Sequence, residues 1–289
     1  MGMLWQNATP PLPPMRFAEL YASAVGRLAD AAPVHRVGAL HTLESLGQAH
    51  PAGRPAIVDV LCAYLRTPPP AGTTEDDPVR ATAQQILAAH LRPGGPGFWP
   101  KMSLDLTGAI LCDFDLSGCR IDGQLILDNA VLFGPAKFRR LIVGGAMGLR
   151  HATLHEHAWL ERADFHGAFR AGWATFHADA WFGETNFAQG ASFVGTTFAG
   201  HAWFAGCTSP ARVDFAQAMF RRSAGFRGAS LAEVGLAETT FVGPARVSRR
   251  GEAWNVASPG WTVVTDPDNE AVGQLQWFGR AELVEQTPA

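Results

Sequence analysis

Histidines are concentrated near the middle of the chain, where they could ligate a metal ion. His155, His166 and His177 are eleven residues apart, and His151 and His157 lie close to the first of them. The carboxylates nearby are Glu156, Glu161 and Asp164. A metal site needs imidazole nitrogens that converge on one point, usually with carboxylate support. Rings that project outward in parallel diverge into water, so we predict no metal ligands here.

Other roles for this histidine-rich flank, His151, His155, His157 and His177, are left open by the sequence. The first hundred residues contain four more histidines, without the HExxH spacing of a metal-binding helix: His35, His41, His50 and His90. Surface histidines, or histidines satisfied by hydrogen bonds, are the expected outcome for these four.

Nucleophiles and cofactor motifs give no catalytic site. The four cysteines, at positions 62, 112, 119 and 207, have neither the spacing of a zinc site nor that of a disulfide framework. No serine, cysteine or lysine is paired with a base, and the glycines form no GxGxxG or Walker pattern. The sequence predicts no catalytic, cofactor-binding or metal-binding residues, no cofactor, and no small-molecule substrate. The cysteine usage favours a reducing cytoplasm.

Composition and charge indicate a protein that stays in water. Of the 289 residues 47% are apolar, and the net charge is −3. This charge gives no overall attraction to nucleic acid or to an anionic membrane. The first residues lack the basic start and apolar run of a signal peptide, and the longest apolar stretch, residues 141–149, is too short to span a bilayer.

The first hundred residues have the apolar period of α-helices. Four stretches place apolar residues three or four apart: residues 16–31, 34–49, 54–66 and 77–92. In the first of them Phe17, Leu20, Tyr21, Ala24 and Leu28 share one face. Three or four amphipathic helices of this length should pack as a small bundle or as stacked hairpins, which we assign to a domain of residues 1–97.

After Pro100 a shorter period replaces the helical one. Large apolar residues first stand five apart, at Leu106, Leu111, Leu116, Ile121 and Ile126. From Leu132 onward the steps alternate between five and six, so that the pattern repeats every 22 residues in four columns. The columns are Phe138, Leu160, Phe182, Phe204, Phe226; Leu132, Leu154, Phe176, Phe198, Phe220; Val143, Phe165, Phe187, Ser209, Leu231; and Leu149, Ala171, Phe193, Phe215, Ala237.

A four-sided coil of short strands fits this period, with one large and one small residue of each side turned inward. Equivalent positions in successive coils then lie about 4.8 Å apart, which stacks Phe on Phe along the axis. A period of 22 is too short for a helix–turn–helix solenoid. The segment 207–212 interrupts the pattern with Pro210, where we expect a bulge or a short loop.

The repeat resembles pentapeptide-repeat proteins. The resemblance rests on LDLTGAILCDFDLSGC (104–119) and on the later triplets ADF, ATF, AWF, TNF and ASF, and it covers residues 104–247. The helical stretches 37–66 and 79–93 look like the leader of one branch of that family. The resemblance implies a mainly β protein, a right-handed quadrilateral parallel β-helix with an N-terminal α-helical cap. The alternating six-residue step departs from the family pattern and should widen the corners.

The ends of such a coil need covering, because its terminal strands present unpaired backbone edges. We expect the helices to cover the first coil, with Phe98 and Trp99 as a plug. The β-helix is assigned to residues 98–250, and residues 251–289 are predicted to form a capping tail.

A tryptophan column is predicted on the outside of the repeat. Trp159, Trp181 and Trp203 are 22 residues apart and immediately precede inward positions. One interpretation is a partner surface, because Trp is enriched at interface hot spots. Another is that a duplicated repeat copied its Trp and that stacking between strands adds stability. A third is that the column is internal and the assumed phase is shifted by one.

Two functions follow for a protein without a catalytic site. The first is a non-enzymatic scaffold that binds a protein partner through Trp159, Trp181 and Trp203, with no nucleic acid ligand and no membrane span. The second comes from the resemblance: some pentapeptide-repeat proteins bind DNA gyrase by imitating duplex DNA. Imitation requires a dense acidic surface, whereas residues 101–250 contain thirteen acids and fifteen bases. The sequence therefore favours the scaffold.

Overall fold

The computed structural model consists of four helices followed by a parallel β-solenoid of about six turns. It describes residues 14–69, 78–95, 97–250, 253–254, 261–266 and 269–277. Side chains are described for the residues of these ranges that lie between 16 and 247. For the other residues only the backbone is described.

The helices begin at or next to a proline, whose fixed φ suits the first helical turn. They are α1 (Pro14–Arg27), α2 (Pro33–Ala49), α3 (Arg54–Arg66) and α4 (Pro78–Leu91), with a 3₁₀ turn at Pro51–Gly53 between α2 and α3. The apolar faces predicted for α2, α3 and α4 are buried or packed against the core. In α1 the prediction fails at Leu20, which is 37% exposed.

The solenoid up to Trp203 consists of two- or three-residue strands separated by tight corners. These strands are β1 (Leu104–Asp105), β2 (Ile110–Cys112), β3 (Arg120–Ile121), β4 (Leu125–Ile126), β5 (Val131–Phe133), β6 (Ala136–Lys137), β7 (Ile142–Val143), β8 (Met147–Gly148), β9 (Thr153–Leu154), β10 (Ala158–Trp159), β11 (Asp164–Phe165), β12 (Phe169–Arg170), β13 (Thr175–Phe176), β14 (Ala180–Trp181), β15 (Asn186–Phe187), β16 (Ala191–Ser192), β17 (Thr197–Phe198) and β18 (Ala202–Trp203).

Longer strands appear towards the C-terminal end. They alternate with short ones: β19 (Thr208–Asp214), β20 (Met219–Phe220), β21 (Ala224–Gly225), β22 (Ser230–Gly235), β23 (Thr240–Phe241), β24 (Ala245–Arg250), β25 (Ala253–Trp254), β26 (Trp261–Asp266) and β27 (Asn269–Trp277).

Parallel pairing between successive coils organises these strands into four ladders. One runs β2-β5-β9-β13-β17-β20-β23, and another runs from β6 through β10, β14, β18 and β21 to β24. The other two, which start at β1 and β3, meet in β19 because this strand continues through what is a corner in the earlier coils. The spacing of about 22 residues predicted from the sequence is confirmed, for example by the pairing of Phe176 with Phe198.

Stacked phenylalanines fill the space between the ladders. The rings of Phe176 and Phe198 are 5.1 Å apart and 12° from parallel, and those of Phe182 and Phe204 are 4.8 Å apart and 3° from parallel. Both pairs are fully buried. Burying each ring removes apolar surface from water, which stabilises the fold by about 2–3 kcal/mol per side chain.

Two column assignments were wrong by one residue. Ile126 is half-buried in an outward position, and Leu127 takes the inward one, because the first six-residue step, from Ile121 to Leu127, comes half a coil earlier than predicted. At the other end Ala237 is exposed and Leu236 is buried. The coil that contains Leu236 is one residue shorter, as the pairing of Val213 with Val234 shows.

The interruption at residues 207–212 is a bulged strand, where a bulge or a short loop was expected. Strand β19 runs through it, and its register with β22 shifts between Ser209 and Arg212. Ser209 keeps its inward column position, at 3% exposure, and its hydroxyl donates to the carbonyl oxygen of Phe187 over 2.9 Å. That hydrogen bond explains how a polar residue is accommodated in an apolar column.

Corner residues with positive φ recur every coil, and many are not glycine. In one corner column they are Gly118, Arg140, Arg162, Glu184, Gly206 and Gly228; in another they are Asn129, His151, Trp173, Gly195, Gln217 and Glu238. Each non-glycine residue in this conformation costs conformational energy. The ladder compensates, because the corner N–H groups donate to the next coil, as Arg162 does to the carbonyl of Gly183 over 2.9 Å.

Side chains of α4 cap the first coil as a neighbouring strand would. The Gln84 amide donates to the carbonyl of Cys112 over 3.0 Å and accepts from its N–H over 3.2 Å. Arg80 donates to the carbonyls of Thr67 and Ile110, which joins the end of α3 to β2. These contacts satisfy backbone groups that would otherwise be left unpaired at the edge.

Trp99 links the helices to the start of the solenoid. It is buried, its ring stacks on His90 at 4.1 Å, and it lies against Gly47, where an added Cβ would be 2.6 Å from the indole. Phe98, the other residue of the predicted plug, is half-buried. At the opposite end β27 pairs antiparallel with β24 and covers the edge of that ladder. The tail residues 251–252, 255–260, 267–268 and 278–289 lie outside the described residues.

Glu44 of α2 contacts one histidine of its own helix and one of α4, and the second contact joins the two helices. Its carboxylate contacts His41 at 3.0 Å and the buried His90 at 2.9 Å. Partial burial raises the pKa of Glu44, but the hydrogen bonds from His41 and His90 outweigh it, and the net shift is downward. A carboxyl group whose pKa is lower in the folded state stabilises the fold above its unfolded pKa, and this contribution is lost as the pH falls through the folded pKa.

Replacing Glu44 should therefore destabilise the protein in a pH-dependent way. We expect Glu44→Gln to lower the free energy of unfolding by about 1–2 kcal/mol at pH 7, because charge-assisted hydrogen bonds are lost. The difference from the wild type should shrink below the unfolded pKa of about 4.5. Urea unfolding at pH 7 and pH 3.5 measures both values, with Glu19→Gln as the control. An equal difference at the two pH values would contradict the assignment.

Candidate interaction surface

The three tryptophans of the predicted column project outward from adjacent strands of one ladder. In β10, β14 and β18 each Trp follows an inward Ala and precedes an inward large residue. Since side chains alternate between the faces of a strand, this places the indoles outside. Trp159 pairs in register with Trp181, and Trp181 with Trp203. We call this set the Trp stripe.

The Trp stripe is half-buried by contacts between its own members and neighbouring aromatic rings. The rings of Trp159 and Trp181 are 6.1 Å apart, and His157 lies 5.1 Å from Trp181. His201 stacks on Trp203 at 5.8 Å. The internal position considered as an alternative is therefore not observed. A ring contact between strands is observed for Trp159 and Trp181, whose planes are tilted by 35°. A role of the stripe in partner binding remains a prediction.

Small residues border the Trp stripe. A Cβ at Gly225 would be 2.6 Å from the Trp203 ring, so the indole lies over this glycine. Two residues after Trp181 and Trp203, the next outward positions are taken by Gly183 and Ala205. Nothing bulky at these positions limits access to the exposed parts of the two rings.

A cation and an ion pair flank the first tryptophan. The Arg139 guanidinium lies 4.9 Å from the centre of the Trp159 ring and forms two hydrogen bonds to Glu161, at 3.1 and 3.2 Å. One coil further on, Arg162 pairs with Glu184 in the same way. Both pairs are largely exposed, so that water and salt screen them.

The histidine-rich flank forms a second stack on the neighbouring ladder. The rings of His155 and His177 are 5.2 Å apart and 8° from parallel, and Phe133 continues the stack 4.6 Å from His155. His166 is separate and contacts Asp164 at 2.9 Å. Parallel stacked rings direct their nitrogens side by side rather than at one point. Within the described ranges no three His, Cys, Asp or Glu side chains are grouped as metal ligands would be.

The cysteine thiols have the environment of core residues. Cys62, Cys119 and Cys207 are buried, and burial raises the pKa of each to about 12. The Cys207 thiol donates to the carbonyl of Phe182 over 2.8 Å. A thiolate is the nucleophilic form of cysteine, so these three side chains are poor nucleophiles near neutral pH.

A cleft of about 590 Å³ lies between α4 and the first coils. Its polar lining includes Arg80 and Gln84, which hold the helices to the solenoid, together with Asp113, Asp115 and Lys137. Asp115 accepts a hydrogen bond from the N–H of Ser117 over 2.8 Å. Much of this polar lining is thus engaged in the structure itself.

Trp173 is an exposed aromatic residue that sequence reasoning missed. It occupies a corner with φ of 60° and is 56% exposed, with its ring over Gly195. The sequence did mark Trp173 as unusual, because the equivalent corner positions carry the polar residues Asn129, His151 and Gln217.

No helix among the described residues combines the length and the hydropathy needed to cross a bilayer.

A pair of adjacent substitutions tests whether the Trp stripe serves folding. We expect Trp181→Ala to lower the free energy of unfolding by about 1–2 kcal/mol, since it removes only partly buried ring contacts. Phe182→Ala should cost about 3–5 kcal/mol, because it empties a fully buried site. Chemical denaturation measures both. A larger loss for Trp181→Ala than for Phe182→Ala would mean that the tryptophans are there for stability.

Compared with protein-family models, with curated proteins and with solved structures, this chain matches none of them.

Proposed function

We propose that this chain is a pentapeptide-repeat protein, folded as a right-handed quadrilateral β-helix, and that it acts as a non-enzymatic scaffold. In this proposal a protein partner binds to the Trp stripe, Trp159, Trp181 and Trp203. No cofactor, nucleic acid or small-molecule substrate takes part.

The observation that carries the proposal is the position of three tryptophans on an outer face although phenylalanines fill the core. The indoles lie in register on successive coils, and each remains partly accessible. Trp and Tyr dominate the binding energy of protein interfaces because they bury a large area with few rotatable bonds. A contiguous row of such rings on a surface usually marks a contact site.

The solenoid supports binding by holding the rings in fixed positions. The backbone of each Trp is hydrogen-bonded to the adjacent coils, as when the N–H of Leu160 donates to the carbonyl of Trp181 over 2.7 Å. The inward neighbours Leu160, Phe182 and Phe204 are fully buried and fix the strand on the other side. A surface that is already ordered loses less conformational entropy when a partner binds.

The proposal includes a cytoplasmic location. All four cysteines are free thiols, which suits a reducing compartment.

DNA mimicry is the less favoured function. Along this face the carboxylates Glu161 and Glu184 are neutralised by Arg139 and Arg162 of the preceding coil. Duplex DNA carries one negative charge per about 1.7 Å of its axis. A row of alternating, paired charges does not reproduce that density.

Affinity capture with matched variants tests the scaffold. The wild type, a Trp159/Trp181/Trp203→Ala variant and a Thr153/Thr175/Thr197→Ala variant would each be used as bait, followed by quantitative mass spectrometry. The threonines form an equivalent outward column on another ladder. We expect a protein that is retained by the wild type and the threonine variant and reduced at least tenfold by the tryptophan variant. Its direct binding must then be reproduced with purified proteins.

Equal recovery from all three baits would contradict the proposal, provided that the variants have native circular dichroism spectra. Inhibition of gyrase supercoiling by the wild type would reverse the order of the two functions.

A further inference from the structure

Basic residues stand at both ends of the Trp stripe. Lys137 is the register partner of Trp159, one coil before the stripe begins. After the stripe Gly225 pairs with Trp203, and Arg246 pairs with Gly225. In this outward column a lysine precedes the three tryptophans and an arginine follows them. Before Lys137 the column continues to Asp115, and after Arg246 it continues to Gln274 of β27.

The C-terminal end carries further positive charge without a counter-ion. Arg222 lies in the corner before β21, and Arg227 is outward, two residues after Gly225; both are exposed, as is Arg246. Among the side chains that the structure describes, which end at residue 247, no carboxylate lies within ion-pair distance of these three. Of the acids whose side chains are described in the last coils, Glu233 pairs with Arg212, and Glu238 accepts a hydrogen bond from Gln217.

The N-terminal end of the Trp stripe also carries cations without a carboxylate partner, next to two ion pairs. Arg139 and Arg162 are paired with Glu161 and Glu184, but neither Lys137 nor the exposed Arg140 has a carboxylate partner among the described residues. Near the middle of the face the Asp179 carboxylate accepts a hydrogen bond from the N–H of His201 over 2.8 Å. Glu156, in the corner before β10, is exposed. Among the described side chains of this face, cations without a carboxylate partner thus lie at both ends. At the N-terminal end Asp115 and Glu156 offset them, so the excess of positive charge lies at the C-terminal end.

Folding gives no reason for this arrangement. Like charges gathered on one face repel each other, and the paired arginines of the same ladder show that the repeat can place a glutamate one coil away. Unpaired cations in line with a row of aromatic rings are, in contrast, well suited to bind carboxylates of a partner.

We propose that the Trp stripe binds an extended acidic segment of a protein, with apolar side chains over the tryptophans and carboxylates at both ends. The inference rests on the proposed function and specifies the chemistry of its partner. Lys137 and Arg246 are five strand spacings apart, about 24 Å at about 4.8 Å each. An extended chain covers that length in about seven residues, which sets the distance between the two acidic ends.

A single-stranded nucleic acid fits this face less well. Its phosphates carry charge along the whole strand, so that the central ones would lie opposite Trp181, Asp179 and Glu184 rather than opposite cations. Bases also need open ring faces on which to stack. The Trp159 ring has Arg139 on it and Trp181 beside it, tilted by 35°.

Two synthetic peptides of nine residues serve as probes. The acidic peptide has two glutamates at each end and alternating leucine and serine between them; the basic peptide has lysines in place of the glutamates. Both are capped and fluorescently labelled for anisotropy titrations with the full chain. We expect the wild type to bind the acidic peptide at least tenfold more tightly than the basic one. Arg227→Glu/Arg246→Glu should invert this preference, and Arg170→Glu, on another ladder, should leave it unchanged.

The remaining outcomes separate this inference from the proposed function. Equal binding of both peptides, or no binding up to 1 mM, would overturn the inference of an acidic segment. The scaffold would still be supported if affinity capture finds a protein that the wild type retains and the Trp159/Trp181/Trp203→Ala variant loses. Unchanged binding of the acidic peptide by the Trp159/Trp181/Trp203→Ala variant would overturn both. Displacement of the acidic peptide by an oligothymidylate at lower concentration would overturn the inference in favour of nucleic acid.

Discussion

The structure depends on the in-register stacking of one coil on the next. Every short strand lacks enough residues to be stable by itself, and its N–H and C=O groups are satisfied only by the coils on either side. This requires each coil to have nearly the same length, because a change in length moves every following side chain out of its column. The phenylalanine stacks follow from that constraint, since identical inward positions lie one strand spacing apart.

The same constraint produces the surface. Once the inward positions are fixed, the residue before each of them is outward and also stacks on its equivalents. The register that stacks the core residues also stacks the outward tryptophans, histidines and threonines in rows. The chemistry of these rows is independent of the core. This separation explains how the chain could acquire an aromatic face with basic ends without altering the packing inside.

Period and residue type in the sequence predicted the coil, the four columns and the outward phase of Trp159, Trp181 and Trp203. The errors occur where the coil length changes. Ile126 and Ala237 were assigned by a fixed step, whereas the first coil and the later coils of 21 residues shift the inward position to Leu127 and Leu236. Backbone hydrogen bonds decide such shifts, and they leave no periodic trace in the residues.

Contacts between distant segments were also beyond sequence reasoning. The strand-like pairing of Gln84 with Cys112 joins residues 28 apart, and no local pattern marks either of them. The basic ends of the stripe became apparent only when pairing placed Arg246 in the column of Trp203. Trp173 could have been found, because a large aromatic residue at a turn position is unusual.

A distance between two outward residues tests the stacked coil most directly. Val131 and Thr240 are 109 residues apart in sequence, but register pairing places them five strand spacings apart on one ladder, through Thr153, Thr175, Thr197 and Met219. Spin labels at Val131→Cys and Thr240→Cys, with Cys112→Ser as background, allow the separation to be measured by double electron–electron resonance. The account predicts a narrow distribution near about 24 Å. A broad distribution, or a maximum more than about 10 Å away from that value, would contradict it.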